Sequence, residues 1–228
     1  MVIIGLAGAA GSGKDTTADY LAERYGFIKF SFSDALYREV AAAFGLAGEE
    51  VLRNRDTKEI PYYRLNGIYC TDPEFRAILV THVGNETYTC SPRQVLQWWG
   101  TQYRRKQDPD YWIIQAARWL DSVRYATPYP ELSPQYFVNT SVRFENERRF
   151  IEGGDDMGWG GNIWHLRRDA AAPVAAHKSE TPLPVLEGER EIFNNHTLEY
   201  LHMGVDQLLS SGAKFVRLEG PAAMEDAP

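Results

Sequence analysis

Cysteine is scarce in this sequence of 228 residues, which contains Cys70 and Cys90 alone. Two distant cysteines provide no zinc-ligand spacing, and they favour reduced thiols over a disulfide-stapled fold. No apolar run approaches the roughly 20 residues that cross a bilayer, and the N-terminus lacks the basic start and cleavage site of a signal peptide. We therefore expect a soluble cytoplasmic protein without a membrane partner.

An excess of positive charge is also lacking, since the formal net charge is −7. A protein that coats nucleic acid needs a broad basic face, so no nucleic-acid partner is expected. Nucleotide binding stays compatible with this balance, because a few arginines in one cleft can hold a phosphate. The chain length allows one domain with a buried core and a smaller insert or lid.

Strands and helices are predicted to alternate along the chain. The hydrophobic pattern predicts strands at Val2–Ala7, Phe27–Phe32, Tyr136–Thr140 and Asn162–Leu166. It predicts helices at Lys14–Tyr25, Ser33–Phe44 (capped by Ser33), Ser91–Arg105 (with a capping box), Tyr111–Tyr125, Phe144–Gly153 and Thr197–Leu209. Residues 46–90 are predicted to be irregular, with one or two short helices. The alternation indicates an α/β fold with a parallel sheet.

A glycine-rich stretch follows the first predicted strand. Residues 8–14 match the P-loop pattern G-x-x-x-x-G-K, with Asp15 where Ser or Thr is usual. Glycines let backbone N–H groups turn inward around a phosphate, and the next helix presents its N-terminus to the same anion. A plain strand-to-helix turn is the alternative, but the Gly-Lys pair in this context disfavours it. The predicted ATP contacts are Gly8, Gly11, Ser12, Gly13, Lys14, Asp15, Thr16 and Thr17.

The segment Gly13-Lys14-Asp15-Thr16 resembles the P-loop of phage deoxynucleoside monophosphate kinases, and phosphomevalonate kinases share its Gly-Lys-Asp core. Later segments resemble the same phage-type family in the same order, from residue 3 to about 210. They are Phe32–Leu36, Ser91–Gln97 continuing to Gly100-Thr101 and Arg104, Asp110–Trp112, Val142–Phe144 with Asn146-Glu147, and His177–Glu180.

The resemblance implies the P-loop kinase three-layer sandwich, with a central mostly parallel sheet, a helical acceptor-binding insert and a lid. The implied domain covers residues 1–219, with its core at 1–32 and 134–219, the insert at about 33–133 and the lid at about 167–190. Residues 220–228 are expected to be a disordered tail. The implied activity is transfer of the γ-phosphoryl group of ATP, with Mg²⁺, to a deoxynucleoside 5′-monophosphate, giving dNDP and ADP for DNA precursor synthesis. A phage-encoded enzyme would act in the host cytoplasm, and the sequence leaves a homodimer open.

Positively charged side chains are expected to carry this chemistry, because an acceptor phosphate oxygen needs no general base. The predicted catalytic residues are Lys14, Arg143 and Arg167. Arg143 follows a central strand and is assigned to the acceptor or transferred phosphate, with a salt bridge to Glu145 or Glu147 as the alternative. Arg168 is predicted to contact ATP together with Arg167, and a basic hinge is the alternative.

The predicted acceptor contacts lie on helices and at strand ends, and of the adjacent Arg104 and Arg105 at most one is expected to contact the acceptor. The set is Ser33, Asp34, Arg38, Arg93, Trp98, Arg104, Arg143 and Glu147. Mg²⁺ is assigned to Asp15 and Thr16. Ser141 stands where the phage-type family usually has Asp, so hydroxyl and carboxylate are exchanged between positions 15 and 141 relative to the usual arrangement.

Two other functions compete with this prediction. The first is a P-loop kinase of another small phosphorylated acceptor, resembling phosphomevalonate or dephospho-coenzyme A kinases. The second is a nucleotide switch or ATPase module that transfers nothing to a small acceptor. The sequence contains no guanine-reading Asn-Lys-x-Asp segment and no clear apolar strand ending in Asp, which favours the kinase.

Overall fold

The computed structural model describes residues 1–126, 135–154, 159–169 and 183–212. The chain divides into a sheet unit, Met1–Ser31 with Ser122–Pro228, and a helical unit, Phe32–Asp121. The lid residues 170–182, with His177 and Glu180, and the predicted tail lie outside the described residues. No helix in the described part of the chain is long and apolar enough to span a membrane.

Within the described residues, the sheet unit contains five parallel strands. In chain order the strands are β1 Val2–Ala7, β2 Ile28–Phe30, β3 Tyr136–Asn139, the two-residue β4 Gly153–Gly154, β5 Trp159–Arg167 and β6 Arg190–Phe193. The spatial order is β2-β3-β1-β5, and both β4 and β6 pair with β5. Short β4 is antiparallel to β5, whereas the other pairings are parallel. The predicted α/β fold with a mostly parallel sheet is confirmed.

Helices cover both faces of this sheet. They are α1 Lys14–Tyr25, α8 Glu145–Glu152 and α9 Leu198–Gly212. Successive strand residues point to opposite faces. Ile4 and Leu6 of β1 join a core with residues of α1 and α9. Gly5 lies between them and faces the other way, where a Cβ would be only 3.1 Å from Ile151 of α8. Helix, sheet and helix therefore form three layers.

The helical unit contains α2 Asp34–Ala43, α3 Glu50–Arg53, α4 Pro73–Val83, α5 Pro92–Gln97, a π-helical segment Trp98–Arg104, α6 Arg105–Gln107 and the start of α7 Tyr111–Arg124. Its core is aromatic, since the Phe75 ring packs on those of Trp99 and Tyr103 at centroid distances of 4.5 and 5.8 Å. The predicted capping box at Ser91 and Gln94 is present. The helix that it starts becomes a π-helix at Trp98.

Three sequence predictions need correction. Ser33 has helical backbone angles and its side chain does not cap α2, so the predicted cap there is wrong. Strand β5 is longer than predicted and reaches Arg167. Residue 190 was assigned to the lid, but it begins β6, which pairs with the end of β5. Of β6 only Ile192 is buried, so its sequence carries little hydrophobic signal.

Candidate nucleotide site

The loop between β1 and α1 has the backbone that a phosphate cradle requires. Gly8, Gly11 and Gly13 have φ values of 143°, 78° and 106°, which L side chains rarely adopt. Space is also limiting, because a Cβ on Gly8 would be 2.3 Å from the backbone oxygen of Leu166. A side chain at Gly8 is therefore excluded by both the conformation and the close approach of β5.

Lys14 is the first residue of α1, and its side chain folds back over this loop. Its Nζ donates to the backbone oxygens of Gly8 and Ala9, both at 2.7 Å. The first backbone N–H groups of a helix have no partner within the helix, so the same place offers amide donors. An ammonium and several amide donors thus lie at the same strand-to-helix turn, which is the chemistry that binds phosphate.

A buried hydroxyl on the loop also fits an anionic ligand. Ser12 is 1% exposed, and within the described residues its Oγ has no hydrogen-bond partner. Leaving a buried hydroxyl unsatisfied costs about 1–3 kcal/mol, so such a group usually has a partner in the working protein. A phosphate oxygen is an acceptor of the right kind. The loop residues therefore fit a nucleotide polyphosphate.

The predicted cationic residues of the sheet unit lie at the same sheet edge as the loop. Arg143 follows β3, the P-loop follows β1, and Arg167 ends β5, with Arg168 next to it. Because β3, β1 and β5 are adjacent parallel strands, their carboxyl ends meet at one edge. Arg143, Arg167 and Arg168 are all exposed, and the Arg167 side chain forms an ion pair with Glu191 of β6.

Glu147 occupies a buried position at the start of α8. Its carboxylate accepts the backbone N–H groups of Arg143 at 2.8 Å and Phe144 at 3.2 Å, and the residue is 2% exposed. The sequence predicted an acceptor contact at Glu147. In the structure its side chain holds the backbone of Arg143 and Phe144, and the acceptor contact stays a prediction.

The two residues assigned to Mg²⁺, Asp15 and Thr16, are exposed in the first turn of α1. Ser141 lies after β3, where its Oγ is 2.6 Å from Ser31 Oγ and its N–H donates to Asn139 at 2.9 Å. Among the described residues, no three His, Cys, Asp or Glu side chains gather into a group that could hold a metal ion.

The predicted acceptor residues of the helical unit are dispersed over several elements. Arg38 is exposed on α2, Asp34 accepts from Arg53 at 2.9 Å, and Arg93 is paired with Glu59. Ser33 lies at the N-terminus of α2. Trp98 stacks on His82, with ring centroids 4.7 Å apart.

Arg104 belongs to a cluster whose central residue, Glu39, the sequence analysis missed. The Glu39 carboxylate accepts from Trp99 Nε1 and Arg104 Nε, each at 2.9 Å, and from the Tyr111 hydroxyl at 2.5 Å. The Arg104 guanidinium also lies 4.4 Å from the ring centroid of Tyr103. Burial, followed by the hydrogen bond to Glu39, raises the pKa of Tyr111 to about 12. Glu39 is one of three charged residues of α2, with Asp34 and Arg38, so nothing in the local sequence distinguishes it.

A buried ionic cluster lies in the sheet unit and was also missed. Glu189 is paired with Arg148 Nε at 2.9 Å and with His165 Nε2 at 2.8 Å, and all three side chains are at most 6% exposed. Glu189 also accepts the Leu186 N–H at 2.6 Å, and Arg148 donates to the Pro184 carbonyl. Through these contacts, residues 184–189 are bound to Arg148 of α8 and His165 of β5.

The chain is similar over most of its length to a curated viral protein. A curated protein of Acanthamoeba polyphaga mimivirus, named "Putative deoxynucleotide monophosphate kinase", is 29% identical over 208 residues, covering 87% of this chain and 91% of the relative. No protein-family model matches the chain. A sugar kinase from Janibacter sp. HTCC2649, solved without ligand, covers 92% of each chain at 17% identity and a TM-score of 0.41. That TM-score is too low to support an inference.

Proposed function

We propose that this chain is an ATP-dependent kinase that phosphorylates a deoxynucleoside 5′-monophosphate, giving dNDP and ADP. The observation that carries the proposal is the glycine-rich loop at the β1–α1 turn, with Lys14 over it and a buried Ser12 hydroxyl that fits a phosphate oxygen. The mimivirus relative supports a kinase, and its name favours a deoxynucleotide acceptor. The ordered motifs that resemble phage deoxynucleoside monophosphate kinases favour the same acceptor.

In this mechanism the loop amides and Lys14 bind the β- and γ-phosphates of ATP. The bond between the γ-phosphorus and its bridging oxygen breaks, and an oxygen of the acceptor phosphate forms the new bond. Arg143 aligns the acceptor or transferred phosphate. Mg²⁺, when bound, neutralises the phosphate oxygens, and Asp15 and Thr16 would hold it. We assign acceptor recognition to the helical unit, including Arg38.

A panel assay tests the proposed acceptor. The protein is incubated with ATP, Mg²⁺ and each common deoxynucleoside monophosphate, and diphosphate formation is followed. Phosphomevalonate, dephospho-coenzyme A and a reaction without acceptor are included in the same panel. We expect dNDP from at least one deoxynucleotide. Turnover of a base-free acceptor alone, or ATP hydrolysis that no acceptor changes, would overturn the proposal.

Replacing Arg143 with Lys should lower kcat/KM for the acceptor by about ten- to a hundredfold. A lysine keeps the charge but cannot form the two parallel hydrogen bonds of a guanidinium, and bonds to charged groups contribute about 1.5–3 kcal/mol. The affinity for ATP should change little. Arg149→Lys, an exposed neighbour on α8, is the matched control. Equal weakening of both substrates would place Arg143 elsewhere in the mechanism.

Replacing Asp15 with Asn should raise the Mg²⁺ concentration needed for half-maximal rate by about tenfold, because one carboxylate then no longer supports the hydrated ion. Adding Ser141→Asp should recover part of that loss if the two positions have exchanged roles. The measurement is rate against free Mg²⁺ at constant ATP. An unchanged Mg²⁺ dependence would show that Asp15 only favours the helix N-terminus electrostatically.

A further inference from the structure

A residue that follows the edge strand β6 forms a hydrogen bond to the backbone of the P-loop. Asn194 is half-buried, and its Nδ2 donates to the backbone oxygen of Ser12 at 2.9 Å. Its own N–H donates to the backbone oxygen of Arg167, the last residue of β5, at 2.7 Å. The Asn194 side chain is thus placed by the sheet and reaches across to the loop.

The contact between Asn194 and the loop leaves little freedom. A Cβ built on Gly13 would be 2.4 Å from Asn194 Nδ2, so the amide lies directly against the Gly13 backbone. The loop also contacts β5, because a Cβ on Gly8 would be 2.3 Å from the backbone oxygen of Leu166. The ends of β5 and β6 together therefore determine where the loop backbone can lie.

Holding the Ser12 carbonyl has a consequence for the next N–H group. The described residues contain no cis peptide bond, and in a planar trans peptide the C=O and N–H vectors point in opposite directions. Asn194 binds the C=O of the Ser12–Gly13 peptide, so the N–H of Gly13 points away from Asn194. This peptide precedes Lys14, at the position where a P-loop amide binds phosphate.

We propose that Asn194 is a positioning residue for phosphate binding, which aims the Gly13 N–H at the polyphosphate by holding the Ser12 carbonyl from behind. The inference rests on the proposed function, since it presumes that the loop binds the phosphates of ATP. Asn194 itself does not contact the ligand. It reduces the freedom of one amide donor before ligand arrives, which is how preorganised donors gain strength.

The test uses the full chain with Asn194→Ala and Asn194→Asp, and calorimetric titration with inorganic pyrophosphate and with ATP. The Gly13 amide is not removed but loses its fixed direction, so both ligands should bind about tenfold more weakly. Asn194→Asp keeps the side-chain volume, but its carboxylate repels the Ser12 carbonyl. It should therefore weaken the binding of both ligands at least as much as Asn194→Ala. The KM for ATP should rise, whereas the KM for the acceptor should stay unchanged.

Asn162→Ala is the matched control, because Asn162 Nδ2 also donates to a backbone oxygen, that of Gly188 at 3.1 Å, but not to the P-loop. It should leave pyrophosphate affinity within twofold of the wild type. If both Asn194 variants also bind pyrophosphate within twofold of the wild type, the inference is overturned. If the wild type binds pyrophosphate but phosphorylates no acceptor, the proposed function fails. The comparison of pyrophosphate affinities then still tests the role of Asn194 in phosphate binding. Absence of any pyrophosphate or ATP binding would overturn both.

Discussion

Lys14→Ala should lower kcat on the order of a thousandfold while the chain stays folded. Negative charge builds on the transferred group and on the bridging oxygen during phosphoryl transfer, and in the proposed mechanism the Lys14 ammonium neutralises it. Removing one such preorganised donor costs about 10²–10³ in kcat in other enzymes, and a full positive charge should cost at least as much. The measurement is steady-state turnover with saturating ATP and acceptor.

Lys29→Ala is the matched control for this experiment. Lys29 lies on β2 and forms an exposed ion pair with Asp19, a kind of contact that contributes at most about 1 kcal/mol. Its loss should leave kcat unchanged. The Lys14 ammonium also holds the Gly8 and Ala9 carbonyls, so circular dichroism and thermal unfolding should be compared for both variants. A folded Lys14→Ala protein that retains most of its turnover would remove the P-loop from the mechanism.

The start of the chain shows where sequence reasoning succeeds. Strand β1 and helix α1 have the predicted bounds, because an apolar run, a glycine cluster and the αL glycine Gly26 each give a strong local signal. The capping box at Ser91 is equally local. Such features depend on neighbours in the sequence, so no tertiary information is needed to predict them.

The missed features depend on distant contacts. The Trp98–Arg104 segment was correctly predicted to be helical, but its widening to a π-helix follows no local composition rule. Glu39, Arg104 and Tyr111 come together from α2, the π-helical segment and α7, and nothing in their spacing marks them as partners. The same holds for the predicted acceptor residues, because the sequence predicted a role for Arg104 but not its pairing with Glu39.

The residues at the strand ends were predicted only in part from the sequence. Arg143 was predicted at the end of a central strand, and the structure places it after β3 at the sheet edge that also carries the P-loop. The sequence did not predict that the Glu147 carboxylate accepts the backbone N–H groups of Arg143 and Phe144, because Glu147 was assigned to substrate binding. Asn194 was missed for a related reason. It follows β6, an edge strand with one buried residue, so neither strand nor side chain had a sequence signal.

Arg148→Met should lower the free energy of unfolding by about 3–5 kcal/mol. Arg148 is 1% exposed, and its guanidinium neutralises Glu189, which is 2% exposed. A methionine fills much of the same volume but leaves the Glu189 carboxylate buried without its principal counter-charge, and breaking a buried pair from one side costs this much. The loss of the bonds to Glu145 and to the Pro184 carbonyl adds to the effect. The measurement is urea denaturation of wild type and variant at one pH.

Two further variants separate the charge from the packing. Arg149→Met changes the exposed neighbour on the same helix and should shift stability by less than about 0.5 kcal/mol. Adding Glu189→Gln to Arg148→Met removes the buried charge, while the amide oxygen can still accept the Leu186 N–H. The double variant should therefore recover part of the stability that Arg148→Met loses, because an uncompensated charge is the larger share of the cost. If the double variant is less stable than Arg148→Met, the packing of the arginine stem, not the ion pair, holds residues 184–189 to the sheet.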